Sequence, residues 1–95
     1  MYRLQVLRRA ENDILKSVTF YNKREQGLGD RFFWEVVAAL RRVEAQPLHY
    51  PEKYLKKFRF ALIHDFPFFI VFKIKGDLVV INSVFHTSRN PKRFS

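Results

Sequence analysis

The chain has 95 residues and no Cys, and its 18 Lys and Arg against 9 Asp and Glu give a net charge of +9. The absence of Cys excludes disulfides and thiolate metal sites, and its 3 His lack the spacing of a zinc motif, so we expect no metal and no small-molecule cofactor. This length predicts one domain over residues 1–95. The charge favours a polyanionic partner, nucleic acid or an acidic protein, over a basic surface that is merely solvated.

Targeting signals are missing from the sequence. The N-terminus, MYRLQVLRR, lacks the apolar stretch of a signal peptide. The longest apolar run, from Phe66 to Phe72, is far shorter than the ~20 residues that cross a bilayer. We therefore expect a cytoplasmic protein without a membrane partner.

The first half of the chain predicts a strand and two helices. Residues 2–7 alternate as a short strand, which Arg8-Arg9 ends, and residues 10–24 show the apolar spacing of a helix. We expect Gly27 in the left-handed conformation that ends a helix, with Leu28-Gly29 at the corner. Asp30 is then the N-cap of a second helix that ends at Ala45, before Pro47.

The second helix is strongly amphipathic. Its core-facing stripe is predicted to contain Phe32, Phe33, Val36, Val37, Leu40 and Val43. Trp34 lies on the opposite side, where a ring is either covered by neighbouring side chains, the interpretation we favour, or exposed for a contact.

The second half predicts three strands. Residues 58–64 alternate, residues 65–67 form a turn, and two further apolar runs meet at Gly76-Asp77, a pair typical of a type II′ hairpin turn. That turn predicts the pairs Lys75 with Leu78, Lys73 with Val80, Val71 with Asn82, Phe69 with Val84, and Pro67 with His86. The order β-α-α-β-β-β predicts an α+β, two-layer fold in which an N-terminal helical hairpin packs on a small, antiparallel-rich sheet.

This register assigns every hairpin residue to one of two faces. One face is almost wholly apolar and should lie under the helices. The other is mixed, too apolar for a free surface and too polar for a sealed core: Phe69, Val71, Lys73, Lys75, Leu78, Val80, Asn82, Val84 and His86. We interpret it as a partner groove rather than as a face covered by the chain's own loops.

Motifs for hydrolases, phosphate loops and dinucleotide binding are missing, and no catalytic residue is identified. The only candidates are His86 and Arg89. His86, at the end of the last strand, is either a general acid or base for a ribose hydroxyl or a structural histidine. The tail residues Arg89, Lys92, Arg93 and Phe94 could bind phosphate or carboxylate and stack on a base, or form a solvated C-terminus.

Two segments, YNKREQGLGDRF and VFHTSRNP, together with the element order, resemble the RelE/ParE toxin superfamily over essentially the whole chain. The resemblance implies the toxin of a bacterial type II toxin–antitoxin module, also called a plasmid-stabilisation protein, neutralised by a cognate acidic antitoxin. RelE-like members cut messenger RNA on the ribosome with basic residues of the middle strands and a C-terminal Tyr or His. ParE-like members inhibit DNA gyrase.

This chain departs from the RNA-cutting pattern. Phe69 stands where those members carry Arg, Phe60 and Leu62 where they offer Lys, and Phe94 where they have Tyr, whereas His86 matches. An anionic transition state needs cations around the phosphate. We therefore favour a non-enzymatic, ParE-like toxin over a metal-independent, ribosome-dependent mRNA endoribonuclease and over a plain nucleic-acid-binding module. The residues expected to bind antitoxin or target are Phe69, Val71, Lys73, Asn82, Val84, His86, Arg89, Lys92, Arg93 and Phe94.

Overall fold

The computed structural model describes residues 1–53 and 57–88 of the chain. Helices and strands within these ranges follow in the order β1 (Arg3–Val6), α1 (Arg8–Arg24), α2 (Leu28–Ala45), a 3-10 turn (Pro47–His49), β2 (Glu52–Lys53), β3 (Phe58–Leu62), β4 (Phe68–Lys75) and β5 (Leu78–His86). Each predicted element is present. The short strand β2 lies in a segment for which no strand was predicted.

The strands form one mixed sheet in the order β1-β5-β4-β3-β2. Strand β1 runs parallel to β5, and the other neighbouring pairs are antiparallel. Both helices pack on one face of this sheet and enclose the core with it. The predicted α+β, two-layer architecture with its helical hairpin is thereby confirmed.

Aromatic rings fill the part of the core where the two helices meet the sheet. The Phe32 ring of α2 lies 4.9 Å from Phe68 and 5.2 Å from Phe66, between ring centroids. Tyr21 of α1 joins them, 5.2 Å from Phe66. Burial raises the pKa of the Tyr21 hydroxyl, an effect that the nearby Arg24 charge partly opposes. These contacts fix the helical hairpin against the sheet.

The buried stripe of α2 differs from the predicted one at its edge. The buried residues of this helix are Gly29, Phe32, Val36, Ala39 and Val43. Val37 and Leu40 are half-buried, and the assignment of Phe33 to the core was wrong, because it lies at the margin of this stripe and is 39% exposed. Trp34 is 65% exposed, although its ring contacts that of Phe33 at 5.3 Å, so neighbouring side chains cover it only in part.

The corner between the helices is tighter than predicted. Gly27 has the expected positive φ of 87°, but α2 begins at Leu28, so Leu28-Gly29 are not the corner and Asp30 is not the N-cap. The Gly29 N–H donates instead to Asn22 Oδ1 at 2.7 Å. A Cβ at Gly29 would lie 2.1 Å from the Val18 carbonyl oxygen, so glycine is what allows the helices to approach here.

The start of α1 is also earlier than predicted. Arg8 and Arg9, which we expected to end the first strand, already belong to the helix. The Leu7 N–H still donates to the Ile81 carbonyl at 3.0 Å, so the chain passes from sheet to helix without a loop.

The β4–β5 hairpin follows the predicted register only near its turn. Gly76 has a φ of 60°, and the pairs Lys75–Leu78 and Lys73–Val80 are confirmed. Between Val71 and Phe72 the register shifts. Beyond that point the pairs are Val71–Ser83, Phe69–Phe85 and Phe68–His86, so the predicted partners Asn82 for Val71, Val84 for Phe69 and Pro67 for His86 were wrong.

The cause is a β-bulge at Asn82. Phe72 pairs with Ile81 and Val71 with Ser83, which leaves Asn82 as an extra residue on β5. Because side chains alternate, one extra residue turns every later side chain of the strand to the other face. Val84 and His86 therefore lie on the helix side, and Ser83 and Phe85 on the helix-free side. The sequence had assigned these residues the opposite way.

Candidate binding clefts at the two ends of the hairpin

A cleft of about 500 Å³ lies between α1 and the end of β5. We call it the His86 cleft; its lining residues are Asp13, Lys16, Ser17, Phe20, Phe68, Val84, His86 and Ser88. The residues of α1 come from one flank of the helix, which the spacing of Asp13, Lys16, Ser17 and Phe20 places in line. The cleft combines a cation, two hydroxyls and an imidazole with aromatic walls.

The imidazole of His86 has a defined orientation. The Ser88 N–H donates to His86 Nδ1 at 3.1 Å, and the Ser88 Oγ lies 2.7 Å from the same nitrogen. A nitrogen that accepts an N–H has no proton, so the neutral ring carries its proton on Nε2. The Phe68 ring packs against the imidazole at 5.3 Å. Nε2 can therefore donate one hydrogen bond to a carboxylate or phosphate oxygen.

Asp13 has a structural task that the sequence did not reveal. Its Oδ2 accepts the Val84 N–H at 2.9 Å. This contact joins residues that are 71 positions apart, and it satisfies a backbone donor next to the bulge. The same carboxylate adds a negative charge to the His86 cleft. No motif of the sequence could have identified it, because the partner is a backbone group.

The predicted groove residues are divided between two faces. Phe69, Val71 and Lys73 lie on the helix-free face, whereas Val84 and His86 lie under α1, so the single mixed groove was a wrong assignment. Val71 is 0% exposed and Ser83 2% exposed, so the middle of the helix-free face is closed. Of the buried side-chain oxygens in the described ranges, Asn82 Oδ1 and Ser83 Oγ have no hydrogen-bond partner.

An aromatic cluster occupies part of the helix-free face. Phe60 lies 5.4 Å from Phe69 and 6.0 Å from Phe85, and Phe69 lies 5.8 Å from Phe85. Phe60 and Phe69 are positions at which RNA-cutting members of the superfamily would offer cations. Rings stand there instead, and they pack on one another.

A second cleft, of about 440 Å³, lies at the turn end of the sheet. We call it the lysine cleft; it is lined by Glu52, Lys57, Arg59, Lys73, Ile74 and Lys75. Arg59 Nη2 pairs with Glu52 Oε1 at 3.4 Å, and its Nη1 donates to the Tyr50 carbonyl. Lys73 Nζ lies 5.9 Å from the Phe58 ring centroid. Within the described ranges no carboxylate pairs with Lys57, Lys73 or Lys75, so their charges face solvent together.

The remaining predicted site residues, Arg89, Lys92, Arg93 and Phe94, lie outside the described residues. Their assignment to binding, and that of Arg89 to catalysis, stay predictions.

The fold also assembles one group of potential metal ligands that the sequence spacing did not suggest. Ligand atoms of Glu35, His64 and Asp65 lie within 4.8 Å of one another. Arg31 Nη2 is 3.9 Å from Asp65 Oδ2, and its charge opposes a cation at this place. The positive φ of Asp65, 67°, could have been inferred from its position in a tight turn.

Among the described residues no helix is long and apolar enough to cross a membrane.

The fold of this chain is shared with a solved structure. A solved chain described as "Chromosomal ParDE TA system from P. aeruginosa" superposes with a TM-score of 0.84 at 15% identity, over 93% of this chain and 98% of that one. No curated protein matches the sequence. The likeness in structure shows the fold, a helical hairpin on one face of a mixed sheet.

The family follows from the sequence itself. Residues 4–91 match the family described as "ParE toxin of type II toxin-antitoxin system, parDE". The chain belongs to the ParE toxin family, the branch of the RelE/ParE superfamily that its departures from the RNA-cutting pattern had favoured. Membership implies an antitoxin partner.

Proposed function

We propose that this protein is a cytoplasmic toxin that an acidic cognate antitoxin neutralises, and that it acts by binding DNA gyrase rather than by cutting RNA. Family membership supports the first part. The separation of His86 from the aromatic cluster supports the second part, that the protein acts by binding rather than by cutting RNA. Its imidazole lines the cleft under α1, and Phe60 and Phe69 lie on the other face of the sheet.

Cleavage of RNA next to a histidine needs cations that stabilise the charge developing on the phosphate. Among the described residues that line the His86 cleft there is one cation, Lys16, and one carboxylate, Asp13. Loss of one preorganised donor from such a site costs roughly 3–4 kcal/mol of barrier. A site whose described lining offers a single cation is better suited to binding than to catalysis.

The His86 cleft suits a segment that is both acidic and apolar. Lys16 and the Nε2–H of His86 can bind a carboxylate, while Phe20 and Phe68 contact apolar side chains. An antitoxin that folds onto this cleft would bury apolar area and neutralise part of the net charge of +9 at once.

Two parallel assays on purified protein test the mechanism. The toxin should block supercoiling by DNA gyrase and leave messages intact during in-vitro translation. Addition of the protein encoded by the neighbouring reading frame should restore supercoiling. Cleaved messages with unaffected supercoiling would instead favour the endoribonuclease.

The nuclease alternative rests on one observation, the Nε2–H of His86 in a cleft that Lys16 also lines. Its test is the His86→Ala variant, with Ser88→Ala as the control that leaves the imidazole in place. If the protein cleaves RNA, His86→Ala abolishes cleavage while the unfolding transition stays cooperative. Unchanged cleavage by His86→Ala would remove this residue from the chemistry.

A further inference from the structure

We propose that the lysine cleft binds the phosphate backbone of duplex DNA. The cleft is a concave cation site at the turn end of the sheet, and of its four cations the described part of the chain pairs only Arg59 with a carboxylate. It lies at the opposite end of the hairpin from the His86 cleft. The proposal is independent of the gyrase mechanism, because it concerns free DNA.

Charge is the first property of the lysine cleft that favours a polyanion. Of the four cations that line the cleft, Arg59 is already engaged by Glu52 and by the Tyr50 carbonyl. Lys57, Lys73 and Lys75 have no such partner among the described residues. Three like charges in one cleft repel one another, and a bound polyanion would remove that repulsion.

The spacing of the lysines in this cleft also fits duplex DNA. Lys73 and Lys75 lie two residues apart on β4 and therefore on the same face, about 6.6 Å apart along the strand. Lys73 is held over the Phe58 ring, which restricts its motion. Duplex DNA carries one charge per about 1.7 Å of its axis, so each of these ammonium groups can meet a phosphate without a specific sequence.

The lining of the lysine cleft favours a duplex over other polyanions. Single-stranded nucleic acid is held largely by stacking on exposed rings, and none of the described residues that line this cleft is aromatic. An acidic helix that folds on binding needs an apolar surface, and Ile74 is the one aliphatic residue among the described lining residues. A site with four cations and one carboxylate, Glu52, that already pairs with Arg59 fits a duplex backbone.

The test is the salt dependence of binding to a fluorescent duplex of about 20 base pairs, followed by anisotropy. The variant Lys57→Gln/Lys73→Gln/Lys75→Gln removes the three free cations. Each phosphate contact contributes about 0.9 to the slope of log K against log salt, so the slope should become less steep by about 2.7. The single variant Lys75→Gln, at an exposed position, should change it by about 0.9 and serves if the triple variant unfolds.

A charge-matched control decides whether the site or only the net charge matters. The variant Arg9→Gln/Lys23→Gln/Arg41→Gln removes the same charge from exposed positions of the helices. It should retain the slope of the native protein. An equal loss in the control, or an unchanged slope in the lysine-cleft variants, would overturn the proposal.

Two further probes identify the ligand class. A single-stranded RNA of the same length and a polyglutamate peptide should both bind more weakly than the duplex. Tighter, cleft-dependent binding of either one would assign the lysine cleft to RNA or to an acidic protein and reject duplex DNA.

Discussion

The two ends of the β4–β5 hairpin are made from the same pair of strands, yet they differ in chemistry. Strand β4 spans Phe68–Lys75, so Phe68 of the His86 cleft and Lys75 of the lysine cleft lie about 23 Å apart along the strand. Among the described residues, the lysine cleft contains four cations, one carboxylate that pairs with Arg59, and one aliphatic side chain. The described lining of the His86 cleft contains one cation, one carboxylate and aromatic walls. The first suits a polyanion, and the second suits an acidic and apolar segment of a protein.

The bulge at Asn82 is the physical origin of this difference. Between the turn and the bulge, side chains alternate from Gly76 onwards, and this alternation determines the face of the sheet on which each one lies. Beyond the bulge the alternation is inverted, which brings His86 under α1 and Phe85 into the aromatic cluster. One strand thereby presents two unrelated surfaces, and a change at the bulge should affect one end of the hairpin and spare the other.

Deletion of Asn82 should have the largest effect. Without the extra residue, Val84 and Phe85 would exchange faces, and both are almost fully buried. We expect a loss of more than about 4 kcal/mol, since several core contacts fail together, against a total stability of about 5–15 kcal/mol. Urea unfolding followed by circular dichroism measures it.

Asn82→Ala is the matched control, because it keeps the bulge and removes only the side chain. Asn82 Oδ1 is buried without a hydrogen-bond partner, so its removal should change stability by less than about 1 kcal/mol. If the deletion variant were as stable as Asn82→Ala, the bulge would not determine the faces.

The bulge at Asn82 is also the point beyond which the sequence did not predict the strand register correctly. Periodicity, Gly27 and Gly76 were enough to predict both helices, the long strands and the register near the turn. The pattern of β5, LVVINSVFH, alternates acceptably with or without an extra residue, so nothing local indicated the shift. The adjacent polar pair Asn82-Ser83 inside an apolar strand was the one signal available.

The two candidate clefts depend on tertiary contacts more than the helices and strands do, so the sequence predicted less of them. Asp13 belongs to no motif that the sequence could indicate, because its partner is a backbone N–H on a distant strand. The early start of α2 likewise depends on Gly29 meeting α1, which no single helix pattern encodes. The lysine cleft unites residues of β3 and β4 with Glu52, and only the sheet order brings them together.

Asp13→Ala should disturb the His86 end alone. It leaves the Val84 N–H without an acceptor, at a cost of about 1–3 kcal/mol. Asp13→Asn, which keeps an acceptor oxygen, should recover most of that loss. Amide hydrogen exchange should accelerate at Val84 and stay unchanged at Val80. Equal acceleration at both amides would show that the two ends are not independent.

Gly76→Ala should act at the lysine end. The positive φ of 60° costs a residue with a Cβ about 1–2 kcal/mol, while the added Cβ itself would meet no atom within 4 Å. Gly76→Asn should be tolerated better, because Asn enters this conformation more readily. Thermal unfolding measures both. A loss as large for Asn as for Ala would mean that the turn depends on something other than φ.

Arg3→Gln should have the smallest effect. Arg3 donates a hydrogen bond to Asp77 at 3.4 Å and lies close enough for ion pairing, and both influences lower the pKa of the Asp77 carboxyl below its ordinary value of 3.8. A depressed pKa adds stability above the ordinary pKa, and that stability is lost as the pH falls through the depressed value. In Arg3→Gln the pKa of Asp77 should return towards 3.8, as an NMR titration of the carboxyl carbon would record. The native protein and the variant should then differ slightly in stability near about pH 6 and converge in strong acid. A difference that persists at low pH would assign the role of Arg3 to packing on β1, and the ion pair would have no part in holding the turn.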